Sequence, residues 1–190
     1  MREPGPRAVL LRDPVDEGIG QERRLGLPGI VDRRQGGDLR RRRIGRAIAF
    51  ALAEDGWSVA VHHNSSSDDA SDVVAGIEAR GGRACALHAD LGDVAGTEGL
   101  VPAAASALGP IALLVNNASL FERDEAASVT PESWTAHLDT NLRAPALLSR
   151  AFASQLPDGA EGNIVNITDQ RVWAPTPHFF SYTISKMALW

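Results

Sequence analysis

Cysteine is nearly absent from this 190-residue sequence: Cys85 stands alone. An intrachain disulfide and a cysteine metal cluster are both excluded, and no metal is expected. Long apolar runs are also missing; none approaches the ~20 residues that a membrane-spanning helix needs. The N-terminus lacks the apolar core of a secretory signal. These absences set the expectation of a cytoplasmic protein with no membrane partner. Two further scarcities matter more. Tyr182 is the only tyrosine and Lys186 the only lysine, against eighteen arginines. A surface so rich in arginine does not need that one lysine for solubility.

What is present is unevenly spread. Residues 1–43 carry eleven arginines and seven acids, whereas the rest is acidic enough to bring the whole chain to −5. A basic head can mark nucleic-acid binding. Here acids, Pro and Gly interrupt the arginines, and no aromatic residue precedes Phe50 to stack on a base. No nucleic-acid partner is expected. The same acids argue against a mitochondrial leader. Pro4, Pro6, Pro14 and Pro28 break each short apolar run, so residues 1–42 are expected to be irregular.

From Ile44 onward the pattern is regular. Ile44, Ala47, Ile48, Ala51 and Leu52 recur at helical spacing, and Gly56 is the stop. Trp57–His62 reads as a strand, Asp68–Arg80 as a helix, and Arg83–Ala89 as a strand. Asp93–Leu108 reads as a helix ending at Gly109-Pro110. Ile111–Val115 is an unbroken apolar run, as in a strand buried on both faces. Thr130-Pro131 opens a helix expected to reach about Gln155, and Asn163–Thr168 is another strand. This alternation implies an α/β, doubly wound parallel sheet of Rossmann type. One strand is missing before the Ile44 helix. The best local candidate is Gly29-Ile30-Val31.

In such a sheet, ligands bind beyond the C-terminal ends of the strands. Each strand exit carries polar groups: His63-Asn64-Ser65, then Asp90-Leu91, then Asn116-Asn117-Ala118-Ser119, then Asp169. Any one exit is weak evidence, because loops are polar anyway. Tyr182 and Lys186, four apart on a helix, share one face, and an ammonium beside a phenol favours the phenolate. A lone Tyr-x-x-x-Lys usually means nothing. This one lies 13 residues after Asp169, on the same ligand edge.

With those motifs in that order, residues 43–190 resemble the short-chain dehydrogenase/reductase family. Asn141 in the following helix adds to the match. Within the family the chain is most similar to pteridine reductases and dihydromonapterin reductases. Asp169 replaces the usual catalytic serine, and Phe121 stands where pteridine reductases place a pterin-stacking phenylalanine. The resemblance implies NADP(H) as cofactor and a small pterin or carbonyl as substrate. It implies Tyr182 as proton donor, Lys186 as its modulator and ribose ligand, and Asp169 as its partner in proton delivery. Asn141 would distort its helix and order a relay water. Asp90 and Leu91 would hold the adenine, and Asn117, Ala118 and Ser119 would line the adenosine and nicotinamide. Phe121 would sandwich a flat ring; read alone, it could equally be a core residue. Asn141 read alone is an ordinary polar helix residue, and His63 an ordinary surface one. No acid follows His63-Asn64-Ser65 before Asp68, which favours NADP over NAD. A homo-oligomer is expected.

The resemblance fails at both ends. Arg43-Ile44-Gly45 fits the family's phosphate and substrate turn. Asp38-Leu39-Arg40-Arg41 stands where small residues belong, and Gly36-Gly37 fall two positions early. A frame error in residues 1–42 and a divergent N-terminus both explain this. The chain stops four residues after Lys186, so the sheet is expected to be incomplete at both ends. Two alternatives to a pterin reductase stay open: a generic carbonyl reductase or alcohol dehydrogenase, and a catalytically silent truncated fragment.

Overall fold

The computed structural model describes residues 8–12 and 37–190. Its five strands are β1 (Ala8–Arg12), β2 (Ser58–His63), β3 (Ala84–His88), β4 (Ile111–Asn116) and β5 (Asn163–Asn166). They pair in the order β3-β2-β1-β4-β5, and every pairing is parallel. The helices are α1 (Gly37–Glu54), α2 (Ser67–Glu78), α3 (Val94–Leu108), α4 (Pro131–Leu138), α5 (Ala144–Gln155) and α6 (Phe180–Leu189). The expected Rossmann-type sheet is therefore present, and it is open.

Strand β1 shows why the sheet is covered on both faces. Ala8 and Leu10 join Leu100, Val101, Leu114, Leu148 and Phe152 on one side. Val9 and Leu11 join Val59, Val61, Val73, Ile77 and Val115 on the other. Successive side chains point to opposite faces, so a strand apolar at every position must be packed from both. At the far edge β5 lacks such cover: Ile164 and Val165 are 37% and 38% exposed.

Helix ends follow local chemistry. The Asp93 carboxylate accepts the Gly96 amide at 2.6 Å, and the Thr130 hydroxyl accepts the Ser133 amide at 3.2 Å. Pro131 then fills the first helical position, where its missing N–H costs nothing. The chain leaves α3 through Gly109 at φ 96°, a conformation that glycine adopts without strain.

Three expectations need correction. The sequence offers residues 29–31 for the missing strand, and these lie outside the described residues. Ala8–Arg12, inside the segment expected to be irregular, fills the central position instead. Its four apolar residues are too few to show a period, yet Ala8–Leu11 are almost wholly buried. Helix α1 begins at Gly37 rather than Ile44. Finally, the helix expected from Thr130 to Gln155 is interrupted by a wide π-type turn at Asp139–Arg143.

Strand β1 can be tested by mutation. Leu10→Ala should cost about 2–5 kcal/mol of stability, the usual range for emptying a packed leucine site. Urea unfolding measures it, and a loss below about 0.5 kcal/mol would place β1 outside the core.

Candidate active site

The strand order reverses between β1 and β4, and the crevice of a doubly wound sheet opens at such a point. Beyond β4, Asn117, Ala118, Ser119 and Leu120 form a buried strip. Beyond β5 comes Asp169, and helix α6 brings Tyr182 against it. The Tyr182 hydroxyl donates to Asp169 Oδ2 at 3.0 Å. Asp169 Oδ1 accepts the Arg171 amide at 2.9 Å, and the Arg171 guanidinium lies 3.6 Å from that oxygen. Lys186 is buried, and its ammonium donates to the Ile167 carbonyl at 2.9 Å. It lies 6.0 Å from the centre of the Tyr182 ring. The chain's only phenol, its only ammonium side chain and a carboxylate thus converge on one point.

Asn141 sits within the π-type turn and is buried. Its Oδ1 accepts the Leu120 amide at 2.8 Å, while its Nδ2 donates to the Leu120 carbonyl at 2.9 Å and to Ser185 Oγ at 2.9 Å. The Ser185 hydroxyl donates in turn to the Tyr182 carbonyl at 2.7 Å. The distortion expected of this helix is real. It aims an asparagine at both the strip after β4 and the helix carrying Tyr182.

Phe121 lies beside the acid pair, with its ring edge-on to Tyr182 at 4.6 Å. Its face is covered by the Phe179 ring at 4.1 Å and 8°. The Arg171 guanidinium lies over both rings, 5.4 Å from Phe121 and 4.9 Å from Phe179. Phe179 has φ 61°, and among the described residues it is the one non-glycine with positive φ. Such backbone is strained in a bulky residue and collects at functional sites.

The remaining candidates lie along the same sheet edge. His63, Asn64 and Ser65 leave β2, and the His63 ring is 5.5 Å from that of His88. Asp90 closes its own turn by accepting the Gly92 amide at 2.8 Å. The Leu91 side chain is in the core, so the backbone is what it offers to a ligand. Ile44 is exposed and Gly45 buried in α1; the Arg43 side chain lies outside the described residues. Among the described residues no helix is long and apolar enough to cross a membrane.

Sequence reasoning missed a group behind Tyr182. Asp124 is buried, and its carboxylate accepts the Ser181 hydroxyl, the Ser181 amide at 3.1 Å and the Ser133 hydroxyl at 3.0 Å. Burial, the largest influence on this acid, opposes its ionisation. The donated hydrogen bonds outweigh it and hold the carboxyl below the usual carboxylate range. No local signal reveals this, because Asp124 and Ser181 lie 57 residues apart.

A profile of the short chain dehydrogenase family matches residues 41–190. The chain belongs to that family of oxidoreductases. Among solved structures it resembles the FolM alternative dihydrofolate reductase 1 of Brucella canis, complexed with NADP. There the TM-score is 0.78 and the identity 38%, covering 97% of this chain and 64% of that one. The corresponding protein of Brucella suis, also with NADP, gives a TM-score of 0.74 at 44% identity, over 77% of this chain and 61% of that one. An uncharacterized oxidoreductase of Methylorubrum extorquens is 38% identical over 74% of this chain and 56% of its own. The chain therefore spans between half and two thirds of the length of these relatives.

Asp124 generates a pH prediction. Its folded pKa is lowered, so its stabilisation is fully present above the unfolded value of about 3.9 and is lost as pH falls through the folded value. Asp124→Asn should lose about 1–3 kcal/mol at neutral pH, the scale of hydrogen bonds to a charged group. The deficit against the parent should shrink as the pH drops below about 4. Urea unfolding at stepped pH values checks both; a constant deficit would show that the charge contributes nothing.

Proposed function

We propose that this chain carries the reductase machinery of an NADPH-dependent enzyme acting on a pterin or a similar flat imine or carbonyl. The observation that carries the reading is the 3.0 Å hydrogen bond from Tyr182 to Asp169. A serine at position 169 would suit a carbonyl oxygen. A carboxylate accepting the phenolic proton keeps Tyr182 protonated, opposing Lys186. A dehydrogenase needs a base near neutral pH, whereas a reductase needs a proton to give.

The residues at the β2, β3 and β4 exits fit the cofactor, whereas Asp38-Leu39-Arg40-Arg41 departs from the small residues of the family's phosphate turn. His63, Asn64 and Ser65 leave β2 without a carboxylate, so none of these three repels a ribose 2′-phosphate. Asp90, Leu91 and the strip Asn117–Ser119 line the same edge, Gly45 stands in α1, and Lys186 lies on the ribose side in this reading. Two solved relatives carry NADP. When bound, NADPH supplies the hydride. The protein's part is the proton. Tyr182 gives it to the nitrogen or oxygen of the reduced double bond, so the substrate gains one C–H and one N–H or O–H bond. The phenolate then regains a proton through Asp169, with Asn141 ordering a water behind it. In this reading Phe121 supplies a flat wall for the substrate, with the Phe179 ring stacked on it and the Arg171 guanidinium over both rings. A generic carbonyl reductase is the second reading, and a silent fragment the third. The working molecule is read as a cytoplasmic homo-oligomer.

Two experiments test this. In a titration, NADPH should bind at least tenfold tighter than NADH, and Asn64→Asp should reverse much of that preference by repelling the 2′-phosphate. Equal affinities would remove the argument from the β2 exit, and binding of neither would favour the silent fragment. Asp169→Ser should slow dihydropterin reduction by roughly 10²–10⁴-fold, the scale of one proton-transfer group, while NADPH affinity holds. Full activity in that variant would favour the generic carbonyl reductase.

A further inference from the structure

Helix α6 carries Tyr182 on its first turn but does not cap itself. The residue before it is Phe179, which has no side-chain acceptor and makes no side-chain cap. The first amides of a helix need partners from elsewhere. Here they come from a distant loop. The Asp124 carbonyl accepts the Phe179 amide at 2.8 Å and the Phe180 amide at 3.3 Å. The Asp124 carboxylate accepts the Ser181 amide at 3.1 Å together with the Ser181 hydroxyl. One aspartate therefore engages three consecutive residues, including the strained Phe179, immediately before Tyr182. Its negative charge also suits the N-terminal end of the helix.

The aspartate is itself held. Ser133 of α4 donates its hydroxyl to Asp124 Oδ2 at 3.0 Å. His137, one turn on, is fully buried; its Nε2 accepts the Glu122 amide at 3.1 Å. An amide only donates, so the ring proton sits on Nδ1. That nitrogen faces Ser181 Oγ at 2.7 Å and the Ser133 carbonyl at 2.9 Å. The Ser181 hydroxyl can then receive from His137 and donate to Asp124 at once. The His137 ring also meets the Tyr182 ring edge-on at 6.4 Å.

We propose that Asp124, with Ser181 and His137, is a positioning device that sets the Tyr182 phenol against Asp169. This rests on the reading of Tyr182 as the proton donor. A donor must be held within about 10–20° of its working direction, and a phenol swings widely when the first turn of its helix shifts. None of the three residues needs to touch substrate or cofactor to act in this way.

The chain's single tyrosine makes the device visible without substrate. The rise of phenolate absorbance with pH reports Tyr182 alone. Among the described residues, the groups facing that phenol include Asp169 from the segment after β5, Lys186 on its own helix and the His137 ring from α4, with Arg171 behind Asp169. A phenol that donates to a carboxylate resists ionisation. Asp169→Asn should therefore move the titration to lower pH. Asp124→Ala should move it the same way, by about one unit, because the phenol drifts from its acceptor. In the Asp169→Asn background, Asp124→Ala should add little. Ser181→Ala, which keeps the backbone contacts, should give a smaller shift in the same direction and serves if Asp124→Ala does not fold. If both variants titrate with the parent and lose only stability in urea, the device is structural and the proposal fails. If the shifts appear but no dihydropterin is reduced, positioning stands and the proposed reaction falls.

Discussion

The hydrogen bond between Tyr182 and Asp169 joins the last helix to the segment after β5, two parts of the chain that also meet where Lys186 holds the Ile167 carbonyl. Asp169 follows the edge strand β5, and Tyr182 begins the last helix. The phenol stays there because α6 is fixed at three points. Asp124 ties down its start, Asn141 reaches it through Ser185, and Lys186 holds the Ile167 carbonyl beside the β5 exit. The parallel sheet supplies the frame, since every loop involved leaves the C-terminal end of a strand or answers one that does.

That arrangement has a chemical direction. A phenol beside an ammonium alone is readily ionised and serves as a base. A phenol donating to a carboxylate is kept as an acid. At Tyr182 the hydroxyl donates to Asp169 at 3.0 Å, and the Lys186 ammonium lies 6.0 Å from the ring centre. The aromatic pair Phe121 and Phe179, capped by Arg171, forms a flat wall beside it. The chain spans 64% of the length of the Brucella canis protein that it resembles.

Much of this was legible in the sequence, and the gaps have physical causes. Segments with clear signals, such as the α3 stretch with its Gly109-Pro110 stop or the apolar run Ile111–Val115, folded where those signals placed them. Polar strand exits and Tyr182-x-x-x-Lys186 pointed to the ligand edge, and the structure brings Asp169, Tyr182, Lys186 and Asn141 together. Strand β1 escaped notice because four apolar residues between arginines show no alternation, and a doubly covered strand needs none. The expected glycine-rich turn gave no guidance either, because residues 13–36 separate β1 from α1. Asp124 and Phe179 were invisible for other reasons. The first acts across 57 residues, and the second adopts a positive φ that nothing in its side chain favours.

We propose that the Tyr182–Asp169 pair gives the proton when NADPH reduces a flat heterocycle beside Phe121 and Phe179. The most direct test is competition between substrate types. NADPH oxidation should be followed with a dihydropterin and with a simple aliphatic ketone at equal concentration. The account predicts that the dihydropterin is reduced at least a hundredfold faster, with the difference lost in Phe121→Ala. Equal rates, or a faster ketone, would contradict it.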